Sequence, residues 1–268
     1  MERIESIDDE RVAAYRNLPE RTRRGEEAFI AEGRTVAARM IESGWPVESV
    51  FAAEGFAEEF DRLLAGRAPL YVASRKLLAE VAGFNFHRGV LAHGRRRPAL
   101  SLDDLMARLG PAGPVTLVFC PEIRDRENLG LLLRTAAAFG IDGVVLGPGC
   151  CDPYSRRCLR LSMGGVFRVP LAASAEPAGD LAALERRWSV EPVATVCDPA
   201  AEDLRSFRRP RRLALLFGNE WAGLAEPLLA LCRRRVTIPI RPDADSLNLA
   251  VAAGIFLHAV TRPGPAGS

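Results

Sequence analysis

Lysine is almost missing from this chain. Of 36 basic residues only Lys76 is a lysine, and the rest are arginine. The phosphate-loop signature G-x-x-x-x-G-K-[ST] requires a lysine, and Lys76 stands in no such frame. Histidine is scarce as well: His87, His93 and His258 are too scattered to suggest metal ligands. The six cysteines (Cys120, Cys150, Cys151, Cys158, Cys197, Cys232) form no C-x-x-C pair. Several lie in or beside apolar segments, so they are expected to be buried thiols of a reducing compartment, not a disulfide frame or a zinc site. No apolar run approaches the ~18 residues of a membrane span. The longest, at 247–260, is broken by Gly254 and His258. The N-terminus, MERIESIDDE, is acidic and polar, unlike a secretory signal. A cytoplasmic protein without metal or membrane partner is the expectation. Also missing are the G-x-S-x-G elbow, the acidic glycine-rich first loop of Rossmann-type methyltransferases, internal repeats, and low-complexity segments beyond the tail TRPGPAGS.

What is present is an ordinary globular composition. The chain has 268 residues, 48% hydrophobic and 26% charged, enough for two domains with cores of their own. Net charge is only +2, which does not announce nucleic acid. The arginines do cluster, at 21–24, 95–97, 208–212 and 233–235. Each cluster reads either as a solvated face or helix end, or as a set of forks for phosphate.

DERVAAYRNL predicts a short N-terminal helix, and GEEAFIAEGRTVAARMIES a longer one with Ile30, Val36, Met40 and Ile41 at helical spacing. VESVFAA is β-like, FAEEFDRLLAG helical, PLYVA a strand. SRKLLAEVAG opens on a serine cap and ends on Gly83, and GVLAHG is a strand. This makes a small α/β domain over 25–97, behind an N-terminal helical extension over 1–24. RRRPALSLDDLMARLGPAGP, with a short helix and a Pro/Gly exit, reads as a linker over 98–113.

The second half, 114–264, is more regular. The strands VTLVFC, VVLG, VFRVP, PVATVC, RLALLFG and RVTIPI alternate with the helices RENLGLLLRTAAAFG, YSRRCLRLSMGG, LAALERRW, LAEPLLALC and SLNLAVAAGIFLHAV. Continuous apolar strands separated by helices predict a mostly parallel sheet covered on both faces. Ligands of such sheets sit beyond the carboxyl ends of the strands. GPGCCD, after VVL, has only two of the glycines of a dinucleotide loop and reads as a turn.

Three other strand ends are unusual. CPEIRDRENLG delivers Asn128 and then Arg134. FGNEWAGL delivers Gly218, Asn219 and Glu220. IPIRPDADSLN delivers Ser246 and Asn248 at the start of an apolar helix. Most of these residues have a plain structural reading: Asp125, Asn128 and Ser246 as helix caps, Glu220 as a surface turn residue. Arg134 is harder to dismiss. Its helix is apolar almost all round, as buried helices are. A buried guanidinium must be paired or open into a cleft, and Glu220 is the obvious partner. The remaining alternative is that Arg134 snorkels to water past its apolar stem.

Taken together, NLGLLLRTAAAFG, LLFGNEWAGL and IPIRPDADSLNLAVAAG resemble, in order and spacing, the three successive motifs of the SpoU-type RNA 2′-O-ribose methyltransferases of the SPOUT superfamily. The resemblance covers 114–264. Through FIAEGRTVAARMIESG and GFNFHRGVLA the first half is similar to the small α/β substrate-binding domain that many of these enzymes carry. The resemblance implies an α/β fold whose C-terminal, mostly parallel sheet holds a deep trefoil knot over about 215–260. Composition could not have suggested a knot, since true knots are rare. It also implies S-adenosylmethionine as cofactor, bound in the knot, and a homodimer formed through it.

Carried over residue by residue, the cofactor contacts fall on Leu216, Gly218, Asn219, Ile238, Ile240, Ser246 and Leu247. The catalytic group is Asn128, Arg134, Glu220, Ser246 and Asn248. In the family the arginine is proposed as general base. A guanidinium with a pKa above ~12 is not expected to lose its proton, so stabilisation of the developing alkoxide fits Arg134 better. The RNA contacts fall on Arg88, Arg126 and Arg241. Arg88, beside Phe86 and His87, points to a splayed single-stranded loop read by stacking; the other reading makes Phe84 and Phe86 core. Two positions depart from the family pattern. Arg126 replaces a usual proline, and Trp221 replaces the glycine that usually follows the glutamate. Trp221 either stacks on a base or packs at the dimer interface. Ribosomal RNA is the expected substrate, with transfer RNA as the alternative. A non-catalytic RNA-binding protein would not need Asn128, Arg134, Glu220 and Ser246 together. A base-nitrogen methylase of the same superfamily is the remaining rival.

Overall fold

The computed structural model describes residues 1–18, 27–241 and 243–261. The arginine cluster at 21–24 and the tail from 262 lie outside the described residues. The chain divides into two compact units, Met1–Pro98 with Asp152–Arg168, and Ala99–Cys151 with Val169–Ser268.

The first unit is built on five strands: β1 (Glu2–Arg3), β2 (Ala28–Glu32), β3 (Val47–Ala53), β4 (Leu70–Ala73) and β5 (Val90–Arg95). Their order is β1-β4-β3-β5-β2. β1, β4 and β3 run parallel, and β5 is antiparallel to both β3 and β2. Three helices follow β2, β3 and β4: α1 (Arg34–Glu42), α2 (Ala57–Leu64) and α3 (Arg75–Ala82). α3 obeys its sequence signals. Ser74 Oγ accepts from the Leu77 amide, and Gly83 closes the helix at φ 77°, a conformation a side chain would resist. Residues 1–18 do not form a separate helical extension. β1 pairs with β4, a 3-10 helix covers Glu10–Tyr15, and Ile4, Val12 and Tyr15 are buried. Tyr15 packs on Phe51 and shares a 2.7 Å hydrogen bond with Ser49 Oγ. These apolar residues make the segment part of the core.

The second unit begins with α4 (Leu102–Leu109), opened by a capping box between Ser101 and Asp104. Leu102, Leu105 and Met106 are buried in the core of this unit's sheet, so the stretch read as a linker is structural. Then come β6 (Val115–Cys120), α5 (Arg126–Ala138) and β7 (Gly143–Leu146). The next segment belongs to the first unit and carries α6 (Arg156–Leu161). It is fastened there by buried ion pairs. Arg96 holds Asp152 at 2.8 and 2.6 Å, and Arg156 Nη2 holds Glu32 at 3.0 Å. Tyr154 and Phe167 stack on Phe29 at 5.3 and 5.7 Å. VFRVP is therefore no strand: Gly165–Phe167 is a 3-10 turn that supplies Phe167 to this cluster.

The chain returns with β8 (Leu171–Ala173), α7 (Pro177–Trp188), β9 (Glu191–Val196), β10 (Glu202–Asp203), β11 (Arg212–Leu216), α8 (Glu226–Leu229), β12 (Arg234–Thr237) and α9 (Leu249–Val260). The seven strands form one sheet in the order β10-β12-β9-β11-β6-β7-β8, with every pairing parallel. β6 and β11 lie side by side at its centre. Their carboxyl ends therefore deliver CPEIRDREN and FGNEWAGL next to each other. Arg212 spans the strand starts, donating to the Gly110 and Gly113 carbonyls. Arg233, Arg234 and Arg235 pair with Glu185, Glu202 and Glu226. These arginine clusters are largely engaged in the fold.

Candidate functional site

The three unusual strand ends meet in one hydrogen-bonded network. Glu220 is carried on a tight loop after β11. Its carboxylate accepts from the Arg124 and Asp125 amides at 3.4 and 3.2 Å, just ahead of α5. The Asn128 side-chain amide donates to Glu220 Oε1 at 3.3 Å. Asn248 Nδ2 donates to Asn128 Oδ1 at 2.9 Å, and Asn248 Oδ1 caps α9 by accepting from Ala250 and Val251. Asp125 caps α5. Asn128 is only 8% exposed, and both ends of its amide are satisfied, as a buried polar group requires.

Beside this network lies a cavity of about 630 Å³, within the usual range for small-molecule sites. Its walls come from residues 217–224, from the segment between β12 and α9, and from the carboxyl end of β9. Gly218 is where two backbones meet: an added Cβ would lie 2.3 Å from the Gly223 carbonyl carbon. Asn219 and Gly223 exchange backbone hydrogen bonds of 2.8 and 2.9 Å, and Gly223 takes φ 69°. The loop is thus closed by a pair of backbone bonds.

Of the residues singled out in the sequence, Gly218, Asn219, Glu220, Ile238, Ile240, Ser246 and Leu247 line the cavity. Asn128 and Asn248 join it through Glu220. Leu216 does not; it is fully buried within β11, and its carbonyl accepts from Thr195 Oγ1 at 2.7 Å. Ile238 and Ile240 reach the cavity because β12 ends at Thr237, short of the strand read from RVTIPI.

Arg134 departs most from expectation. It is exposed, does not line the cavity, and has no hydrogen-bond or ion-pair partner among the described residues. Glu220 is engaged elsewhere. Six residues separate Arg134 from Asn128, so their side chains project roughly 120° apart and about 9 Å along the axis. α5 buries Leu129, Leu132, Leu133 and Ala136 against its own unit. Its other face, with Phe139, lies open, as do Val251 and Ile255 of α9. α5 and α9 pack on each other.

The residues assigned to RNA differ in kind. Arg88, in the first unit, lies 3.7 Å from buried Glu32. Phe86 is buried, and Phe84 lies under the Arg156 guanidinium at 4.5 Å; Phe86 is core and unavailable for stacking. Arg126 is half-buried at the start of α5, and Arg241 is exposed and paired with Asp243 at 3.1 Å. GPGCCD is a packing turn: a Cβ on Gly147 would lie 2.2 Å from the Pro121 oxygen. Cys120, Cys197 and Cys232 are free thiols. Burial pushes the Cys120 thiol well above its ordinary pKa, leaving it inert.

The wall at Thr195, Cys197 and Asp198 was missed in the sequence. The rule that ligands sit beyond strand carboxyl ends applies equally to PVATVC. That segment offered no unusual polar pattern to draw notice.

The sequence profile of the SpoU rRNA Methylase family matches residues 115–258, and that of the MRM3-like substrate binding domain matches residues 9–92. The chain is 37% identical to an uncharacterized tRNA/rRNA methyltransferase of Mycobacterium bovis, over 96% of this chain and 90% of that one. It is 31% identical to the 23S rRNA (guanosine-2′-O-)-methyltransferase RlmB of Acinetobacter baylyi, over 71% of this chain and 77% of that one. The AdoMet-bound rRNA methyltransferase from Sinorhizobium meliloti superposes with a TM-score of 0.80 at 28% identity, covering 97% of each chain.

Proposed function

Because this chain belongs to the SpoU rRNA methylase family, we propose that it transfers the methyl group of S-adenosylmethionine to a ribose 2′-hydroxyl of RNA, with ribosomal RNA as its substrate. The observation that carries this reading is the Glu220–Asn128–Asn248 network set against a cavity of about 630 Å³. The cavity fits the cofactor. Ile238, Ile240 and Leu247 offer apolar walls for a nucleoside, and the bare backbone at Gly218 admits close approach. Ser246 and Asn219 add polar groups at the rim. The cofactor supplies an electrophilic methyl on a sulfonium. The chain's own task is to hold the 2′-hydroxyl in line with that methyl and to tolerate the charge as its proton leaves.

Asn128, Glu220 and Asn248 keep the three loops in register. Arg134 stabilises the developing alkoxide as a cation that does not itself deprotonate. It is exposed and does not line its own chain's cavity. The exposed apolar residues of α5's end and α9, Phe139, Val251 and Ile255, fit a two-fold contact with a second copy. In that homodimer, formed through the knotted region at about 215–260, Arg134 serves the partner's cavity. The first unit, with Arg88, and the arginines Arg126 and Arg241 hold the RNA, and the enzyme works in the cytoplasm.

The test is incubation of the purified protein with labelled S-adenosylmethionine and unmodified 23S ribosomal RNA transcript, followed by nucleoside mass spectrometry. A 2′-O-methylated nucleoside is the expected product. Methylation on a base nitrogen, or none by a folded protein that binds the cofactor, overturns the reading.

A further inference from the structure

Among the described residues no large apolar side chain is more exposed than Trp221, at 95%. Tryptophan combines a large apolar ring with a polar N–H and is enriched where one molecule meets another. Its backbone is not loose. Asn219 Oδ1 accepts from the Trp221 and Ala222 amides at 2.9 and 3.1 Å. The preceding residue, Glu220, is tied to α5. The loop closes through the paired amides of Asn219 and Gly223. The ring is presented on a fixed mount, so little backbone order is lost when it meets a ligand.

Trp221 is also part of the cavity wall. A ribose whose 2′-hydroxyl enters that cavity brings its base and neighbouring nucleotides to the mouth. Glu220 binds the backbone of Arg124 and Asp125, so Arg124, exposed and ion-paired with Glu122, stands next to the Trp221 loop. An aromatic face beside a cation suits a single RNA strand, with the base stacked and a phosphate paired. The open apolar face of α5 and α9 begins at Val251, one turn beyond Asn248, and runs on to Ile255 and Phe139. Phe139 lies about 16 Å along α5 from Asn128.

We propose that Trp221 is the stacking platform for a base of the RNA strand whose ribose enters the cavity, and that it sets affinity for single-stranded substrate. The inference rests on the ribose-methylation reading and can fail without it. Trp221→Ala is expected to raise the KM for the ribosomal RNA transcript about tenfold or more, a typical loss for one stacked base. The oligomeric state stays unchanged, and Trp221→Phe retains most of the RNA affinity. In parallel, single-stranded oligo(A) should quench the tryptophan emission of the wild-type protein, and Trp221→Phe should abolish the quench. An unchanged KM in an active enzyme, or a quench that survives in Trp221→Phe, overturns the proposal. Dissociation of the oligomer by Trp221→Ala also overturns it, since the ring would then be covered by a second copy. Absence of methylation by the wild-type protein speaks against the function, while the quench still reports on Trp221.

Discussion

Asn128 donates its side-chain amide to Glu220 Oε1 at 3.3 Å, and by that bond the first turn of α5 holds the loop that follows β11. Glu220 also accepts two backbone amides, a load that an uncharged amide carries poorly. Hydrogen bonds to a charged group are worth roughly 1.5–3 kcal/mol. Glu220→Gln should weaken S-adenosylmethionine binding by about tenfold or more. Calorimetry checks this, and unchanged affinity would remove the network from the site.

Gly218 offers a sharper probe. A methyl group there would press on the Gly223 backbone, 2.3 Å away, where no flexible side chain can give way. Gly218→Ala is expected to abolish detectable cofactor binding while the sheet still folds, because the clash is confined to the loop. Circular dichroism and calorimetry on the same sample separate the two effects.

For Arg134 the exposed position sets two expectations. Arg134→Ala should leave thermal stability and cofactor affinity nearly unchanged, since no partner is lost, yet reduce methyl transfer by about 100-fold, the scale of one lost electrostatic donor. Mixing Arg134→Ala with Gly218→Ala protein should then restore about a quarter of wild-type activity, as random reassortment of a two-fold dimer gives one competent site in half of the dimers. No recovery from demonstrated mixed dimers would place Arg134 at its own cavity.

The segment between β7 and β8 is held in the first unit by Arg96 and Asp152, the latter 7% exposed. Arg96→Met strands a buried carboxylate, which costs about 3–5 kcal/mol. Replacing both, as Arg96→Met with Asp152→Leu, should recover much of that loss. Denaturant unfolding of the single and double variants tests it; equal destabilisation of the two would show that the pair is not coupled.

Stability of the first unit should also depend on pH through His93. Burial lowers its pKa below 6.5, with Arg95 adding to the effect and Glu48 opposing it. As pH falls, the unfolded chain takes up this proton first. The stability contributed by neutral His93 is therefore present above about pH 6.5 and is lost on descent through the lower folded value. The melting temperature should drop between pH 7.5 and pH 5, and drop less in His93→Gln. Parallel profiles for the two proteins would rule His93 out as the cause.

Much of this was legible in the sequence. Unbroken apolar strands separated by helices implied a parallel sheet, and the polar residues at three strand ends marked the site. Asn128, Glu220 and Asn248 stand out because each follows or opens an element where apolar residues would otherwise run on. Arg134 was misplaced for a physical reason. Periodicity records that a helix is mostly apolar, but not which of its faces stays open. Residues 152–168 pack with the first unit, although the family profile over 115–258 runs through them, and periodicity does not show that either. The pairing of Arg96 with Asp152 and of Arg156 with Glu32 joins residues 56 and 124 positions apart, and no local pattern signals such a contact.

The sequence alone determined what is local: the caps at Ser74 and Asp125, the alternation of strand and helix, and the chemistry of the residues at the strand ends. Tertiary structure decided which of those ends meet. β11 inserts between β9 and β6, and only that order places Glu220 against Asn128 and joins three separate loops in one network beside the cavity. Strand order depends on the packing of the whole sheet, and no stretch of sequence carries it by itself.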